Sequence, residues 1–424
     1  MRCILKQIGY LVPEFPGQTH NFFWREINAL KELGVDAQLY STRRPTLGIR
    51  STSWGRQASA ETVYLHPLSL LEVMRVLWLF VSSPARAMNA IATWRDSSKK
   101  LLNGESKTRL FALMMLGLWL GHSIKKKGIT HLHVHSCADA ANIALFAYKT
   151  FGITYSLTLH NPISIWGGNQ ENKWKHALFG IIIAEWIRKD LSLKLAPHLP
   201  TALYLAPMGV DVAKFRRVDG YVPRKNEELR VFSCARLNPA KGFSVLLSSM
   251  ALVNQAGLKA RLTIAGEDDD GGTGYRKEIE ALIDALELKD RVILLGSVSE
   301  ERVKYELEQA HVFVLASFEE PLGVAIMEAM SMEVPVISTD AGGVPDLLGH
   351  DHGILVPPGN VSALAEAISS IGLNQERAKA LSSKGRALIE RKYHHQLSAK
   401  IISKHLFQGE FISEGHGRDP VAGP

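Results

Sequence analysis

Two short stretches carry the residues most able to do chemistry. In "ARLNPAKGF", Arg236 and Lys241 stand five apart across a turn holding Asn238, Pro239 and Gly242. Such a turn aims both cations at one place, which suits a diphosphate. The Arg offers a planar fork, the Lys a point charge, and a helix opening near Gly242 adds its N-terminal dipole. In "SFEEPLGVAIMEAM", Glu320 and Glu328 stand eight apart. Pro321 and Gly323 rule out an unbroken helix, so Glu320 belongs to a loop and Glu328 to a helix starting near Val324. The N–H groups around Leu322, Gly323 and Val324 are then available to oxygen atoms. A carboxylate accepts two hydrogen bonds from a vicinal diol, so one Glu suits a ribose and the other a sugar ring. Glu319 reads as a surface residue.

Other candidates carry less. "IAGEDDDGGTG" lacks GxGxxG spacing, and its acidic cluster would repel phosphate, so it reads as a surface loop. Neither "PEFPGQTH" nor "ARLNPAKG" supplies a dinucleotide fingerprint. His131, His133 and His135 alternate along one strand and His160 ends another; strand-end histidines are commonly satisfied structural groups, and a metal site calls for a clearer ligand set. Cys3, Cys137 and Cys234 show no CxxC spacing, which points to a reducing cytoplasm without disulfide or zinc.

The elements that must position these residues alternate as short apolar runs and longer amphipathic stretches, the pattern of parallel βαβ layers. The chain has 424 residues, too many for one core. Candidate strands in the first half are "IGYLV", "DAQLYST", "HLHVH", "TYSLTLH" and "TALYLAP". In the second half they are "LRVFSCA", "RLTIAG", "RVILLG", "HVFVLAS", "VPVIST" and "GILVPP". The expected division is a first domain over 1–208, a linker over 209–228, a second domain over 229–372, helices over 373–408 that cross back to the first domain, and a loose tail over 409–424. Ligands of such sheets bind beyond the carboxyl ends of strands, where the candidate residues lie.

Charge is uneven. Residues 1–210 hold 24 Lys+Arg against 12 Asp+Glu, while the chain as a whole is +7. The basic half calls for an anionic bilayer or an anionic substrate. Aromatic residues are not interleaved with the cations, which argues against nucleic acid. The runs at 67–81 and 110–121 are apolar but short of the roughly 20 residues of a spanning helix. They read either as helices lying on a bilayer or as helices packed on a core. The N-terminal apolar residues read as a buried strand, not a signal peptide.

The segment "SFEEPLGVAIMEAMSMEVPVISTDAGGVPDLL", with "ARLNPAKG" about 80 residues earlier, resembles the retaining GT-B glycosyltransferases of family 4, the glycosyl transferases group 1 that include bacterial exopolysaccharide and colanic-acid enzymes. "APMGVDVAKF" resembles that family's interdomain crossover. The resemblance implies an α/β GT-B fold, two Rossmann-like doubly wound domains facing across a cleft. It implies that Arg236 and Lys241 hold the donor diphosphate, that Glu328 meets the ribose and Glu320 the transferred sugar, and that Leu322, Gly323 and Val324 give backbone contacts. It also implies that Val298 borders the base, that His160 faces the sugar from the first domain, and that Gly17, Gln18 and Thr19 border the acceptor. No cofactor and no obligatory metal are implied.

Two positions depart from that family. Glu333 stands where it usually has Gly, and a left-handed non-Gly residue costs about 1 kcal/mol, so the helix is expected to end differently there. Ser136 stands where an aromatic residue is common. The function expected is transfer of a sugar from a nucleotide diphosphate sugar to a hydroxyl acceptor by an enzyme of hexosyltransferase type. The expected acceptor is a saccharide, lipid-linked, in cell-surface polysaccharide synthesis. The expected location is cytoplasmic and peripheral on the inner face of the membrane, with an anionic membrane surface as partner. A nucleotide-sugar epimerase or hydrolase of the same architecture and a catalytically silent partner subunit are the alternatives. Glu328→Ala and Lys241→Ala are each expected to cut transfer with the fold intact.

Overall fold

The computed structural model describes residues 6–17, 21–45, 54–225, 227–269 and 271–407. Gln18, Thr19, Cys3 and the tail over 409–424 lie outside them.

The first half runs β1 (Lys6–Glu14), α1 (Asn21–Glu32), β2 (Val35–Arg43), α2 (Gly55–Glu61), β3 (Val63–Tyr64), α3 (Leu70–Val81), α4 (Pro84–Ser98), α5 (Lys107–Lys126), β4 (His131–His135), α6 (Asp139–Phe151), β5 (Thr154–Leu159), α7 (Gln170–Lys175), β6 (Gly180–Ile182), α8 (Glu185–Leu195) and β7 (Leu203–Leu205). The second runs β8 (Leu229–Cys234), α9 (Phe243–Gln255), β9 (Ala260–Ala265), α10 (Tyr275–Ala285), β10 (Val292–Gly296), α11 (Glu300–Gln309), β11 (Val312–Leu315), α12 (Val324–Ser331), β12 (Val336–Thr339), α13 (Val344–Leu348), β13 (Ile354–Val356), α14 (Val361–Leu373), α15 (Gln375–Lys392) and α16 (Leu397–Phe407).

Each half is a parallel sheet, ordered β3-β2-β1-β4-β5-β6-β7 and β10-β9-β8-β11-β12-β13. Helices cover both faces, so the strands are buried on both sides and read as continuous apolar runs. All six strands expected in the second half are present. In the first half β3 and β6 add to the five expected. With two and three residues, they are too short to show a period.

The order in which strands are added switches from one side of the sheet to the other between β1 and β4, and again between β8 and β11 in the second sheet. These switch points open a crevice beyond the strand ends, and the two crevices face each other. The segment joining the halves is pinned: Phe215 is buried, and the Arg217 guanidinium donates to the carbonyls of Leu307, Glu308 and Met332. After α15 the chain returns to the first sheet, where Ala399 and Ile402 of α16 join the core formed by Ile8, Phe23 and Leu30.

The two apolar runs have opposite fates. α5 buries Leu110, Leu113, Met114, Leu118, Leu120 and Ile124 and is a core helix. α3 buries only Val76 and Leu79. At Glu333 the expectation of a different helix end is corrected. The residue adopts φ +57°, the N–H of Val334 bonds the carbonyl of Ala329 at 2.9 Å, and α12 ends in the left-handed turn that Gly would ordinarily serve.

Candidate active site

The crevice between the halves encloses about 950 Å³. Its second-half wall is built by the loops that leave β8, β11 and β12. A tight turn over Pro239–Lys241, capped by Asn238 Oδ1 on Ala240 N, presents Lys241. Gly242 then enters α9 at φ +65°, where any Cβ would sit 1.9 Å from the carbonyl oxygen of Ala316. Only a glycine lets this turn lie against the exit of β11. As a result Lys241 Nζ donates to Glu320 Oε2 at 2.7 Å, with Ser317 Oγ on the same oxygen at 3.3 Å.

The Glu320 loop is braced from three sides. Phe318 N donates to Ala240 O at 2.8 Å, Gly343 N to Glu320 O at 2.9 Å, and Trp186 Nε1, from the first half, to Pro321 O at 2.9 Å. Gly323 sits at φ +88° and α12 begins with no side chain capping it. Leu322, Gly323 and Val324 therefore bring an open helix N-terminus to the crevice, beside Arg236 and Lys241. Arg236 is half exposed and leans on Asp269 at 3.4 Å. Glu319, expected as a surface residue, is exposed at the crevice rim.

The first-half wall is made by Pro13 near the end of β1, Ser136 after β4, His160 after β5, and Phe22 and Phe23 of α1. Behind His160 runs a buried chain of polar groups. His135 Nδ1 lies 2.9 Å from His160 Nε2, His135 Nε2 lies 2.9 Å from Glu26 Oε2, and Tyr10 Oη donates to that same oxygen at 2.5 Å. Burial pushes His135 down to about 3, so it is neutral and has one N–H. With that proton on Nε2 toward the Glu26 carboxylate, Nδ1 accepts from His160 Nε2–H, and the His160 ring is fixed in orientation and tautomer.

The turn after His135 is strained. Ser136 holds φ +83°, off the range favoured by side-chain-bearing residues, and it lines the crevice.

His131 and His133 do not reach the crevice. In register with Thr154, Ser156 and Thr158 of β5, they form a ladder in which every ring nitrogen meets a hydroxyl at 2.7 to 3.0 Å. Glu26, His133 and His135 bring ligand atoms within 4.8 Å of one another, but both ring nitrogens of each histidine are already engaged within the protein.

Glu328 is not brought to the crevice. It is buried and accepts from Arg25 Nη2 of α1 at 2.6 Å, while the same nitrogen donates to Glu300 Oε2 at 2.7 Å. Arg25 also stacks over Phe215 at 5.1 Å. Burial pushes the Glu328 carboxyl up against the pull of Arg25. Glu300 is held below the usual range despite burial because Arg25, and with it Lys214, favours its charged form. Glu328→Ala, expected from the sequence to leave the fold intact, would take one of two carboxylates from this buried guanidinium and leave Glu300 as its remaining partner, a change expected to cost stability. Gly17 is buried and, like the half-buried Val298, is not part of the crevice wall.

Residues 219–388 match the family model for glycosyl transferases group 1. The chain is 29% identical over 419 residues to the putative colanic acid biosynthesis glycosyltransferase WcaL of Escherichia coli (strain K12), covering 94% of this chain and 98% of that one. It is 28% identical over 188 residues to the amylovoran biosynthesis glycosyltransferase AmsK of Erwinia amylovora, over 43% of this chain and 45% of that one. The crystal structure of Anabaena HepE in complex with UDP superposes with a TM-score of 0.70 at 16% identity, over 94% of this chain and 99% of that one. The chain is a GT-B glycosyltransferase.

In this glycosyltransferase the crevice gathers His160, Arg236, Lys241, Glu320, Leu322, Gly323 and Val324. Glu26 was not singled out from sequence, and His135, named there with the other strand histidines, was given no part in holding His160. The signal was the alternation of "HLHVH" opposite "TYSLTLH", which places polar groups on one face of two neighbouring buried strands. Arg25 had no such signal.

Proposed function

We propose that this glycosyltransferase moves a sugar from a nucleoside diphosphate donor to a hydroxyl of a lipid-linked saccharide, with retention at the anomeric carbon, in the building of a cell-surface polysaccharide. The arrangement that carries the reading is Lys241 on Glu320 beside the uncapped start of α12, with His160 on the opposite wall of one crevice. Lys241 and the α12 N–H groups are placed for the charge that develops on a departing phosphate, and Arg236 lies at the rim to join them. In the proposed step the bond from the anomeric carbon to the phosphate oxygen breaks, and the acceptor oxygen bonds that carbon from the same face. The acceptor proton passes to the leaving phosphate. Glu320 holds Lys241 until the diphosphate arrives and then has an oxygen to offer a sugar hydroxyl. His160, its ring fixed by His135, closes the sugar from the other side and helps exclude water.

The similarity to WcaL and AmsK, whose names give colanic acid and amylovoran biosynthesis, supports the polysaccharide setting. HepE binds UDP and UDP-glucose, which supports a nucleotide-sugar donor.

The test is turnover of a panel of UDP- and GDP-sugars with and without membrane-extracted acceptor, with product anomers read by NMR. Donor consumption only with acceptor, and an unchanged anomeric configuration, is the expected result. Isomerised or hydrolysed sugar without acceptor would point to the epimerase or hydrolase reading, and inverted product would remove retention. Because protein cations do the charge work in this reading, transfer should persist in EDTA.

A further inference from the structure

The helices inserted between β3 and β4 are not explained by the crevice. α3 is a well-formed helix: Ser69 Oγ accepts from Glu72 N while Glu72 Oε2 accepts from Ser69 N, a complete capping box. Its burial is reversed from that of an ordinary surface helix. Val76 and Leu79 face inward, while Leu70, Leu71, Met74, Leu77, Trp78 and Val81 are 48% to 82% exposed. Their spacing of i, i+1, i+4, i+7, i+8 and i+11 is one continuous stripe, so the outward face of α3 is apolar along its whole length. Met88 and Ile91 on α4 and Leu102 beyond it extend the exposed set. A patch of this kind on a folded chain marks an interaction surface.

Charge identifies the partner. Residues 69–127 hold ten Lys/Arg and three Asp/Glu, so an excess of +7, equal to the net charge of the entire chain, sits in this one insertion. An apolar stripe with cationic flanks suits an anionic lipid surface: the stripe enters the acyl boundary and the cations meet headgroups. A second copy of this chain would bring like charges together. Among the described residues no helix is long and apolar enough to cross a membrane, so the helix would lie on the bilayer.

The patch is joined to the crevice. Lys100 and Glu105, in the α4–α5 connection beside Leu102, hold the loop that carries the crevice residues Ile165 and Trp166: Asn169 N donates to Lys100 O at 2.7 Å and Gly168 N to Glu105 at 3.1 Å.

We infer that the outward face of α3, with the cationic helices around it, docks this glycosyltransferase on an anionic bilayer and holds the first-half rim of the crevice at the headgroup level. The consequence for a lipid-borne acceptor rests on the function proposed above; the docking itself does not.

The test uses the full chain and vesicles of phosphatidylcholine alone or mixed with phosphatidylglycerol. The wild type should co-sediment with the anionic vesicles at low salt. Binding should weaken about tenfold or more near 1 M salt, where the Debye length is about 3 Å. The triple variant Leu71→Gln, Met74→Gln, Trp78→Gln should lose most of the binding, and Arg75→Glu with Lys99→Glu should lose its salt-sensitive part. Unchanged thermal unfolding would show that both variants fold. Failure of the wild type to bind anionic vesicles overturns the inference, as does a triple variant that binds like the wild type. A wild-type dimer that the triple variant abolishes, without vesicle binding, overturns it in favour of self-association. Turnover of donor with a water-soluble acceptor, measured on the same samples, should be equal in the wild type and the triple variant. If no transfer occurs in either while vesicle binding holds, the proposed function fails and the docking stands.

Discussion

Lys241 and Glu320 meet at 2.7 Å, and the pair is held on both sides. Lys241→Ala therefore removes the crevice cation paired with Glu320 and leaves the loop braced by Phe318, Gly343 and Trp186. Transfer should fall by about 10²- to 10³-fold, the usual loss when one preorganised charge-stabilising group goes, with unfolding temperature nearly unchanged; steady-state kinetics and a thermal melt check both. Glu328→Ala behaves differently. It strips one of two carboxylates from a buried Arg25 and should cost stability, up to about 3 to 5 kcal/mol if Glu300 does not compensate. A melting temperature equal to wild type would show that the ion pair contributes little. His135→Phe keeps a ring in place but removes the acceptor for His160 Nε2–H. It should lower kcat and alter its pH profile, leaving KM for the donor nearly unchanged, whereas a purely structural role would move only the melt.

The glycine turns are where whole elements are brought close enough to act on one another. Gly342 has φ +58°, and a Cβ there would lie 2.1 Å from the carbonyl oxygen of Glu320. Gly342→Ala pushes the β12 exit away from the Glu320 loop. It should cost about 1 to 3 kcal/mol of stability and lower activity as well, because Glu320 and Lys241 lose register; a melt and a rate on the same variant test the coupling. The pairing of β4 with β5 is a second case. His131, His133 and His135 are matched to Thr154, Ser156 and Thr158, so a one-residue slip would turn the His131 and His133 rings away from their hydroxyls and the His135 ring away from Glu26 and His160. The ladder sets the register of the strands that end in His135 and His160.

Three buried neutral histidines give the molecule a pH dependence. Burial pushes His131 and His135 down to about 3 and His133 well below its free value of 6.5. The unfolded chain takes up protons first as pH falls, so this contribution is complete above about 6.5 and is lost progressively toward about 3. Each histidine contributes a slope of up to about 1.4 kcal/mol per pH unit in that window. Thermal midpoints measured from pH 7 to pH 4 should drop steeply, and His133→Asn should flatten the slope. The α1 contact of Arg25, the Trp186 bonds and α16 on the first sheet tie the two halves together. Acid weakening of the first sheet should therefore also loosen the crevice.

Much of this molecule was legible without coordinates because its signals are local. Apolar runs bounded by Gly, Pro and Asn marked the strands, and the Pro/Gly turn put Glu320 in a loop and Glu328 in a helix. The positions beyond strand ends marked Arg236, Lys241 and His160. Tertiary structure decided the rest. Arg25 and Glu328 are separated by 303 residues, Glu26 and His135 by 109, and no spacing rule reaches across such gaps. Nor do two apolar runs of similar composition reveal that α5 packs inside the first domain while α3 turns its stripe to solvent. Local chemistry sets what each segment can form; burial and pairing between distant segments depend on which surfaces the folded chain brings together, and only the packed molecule specifies that.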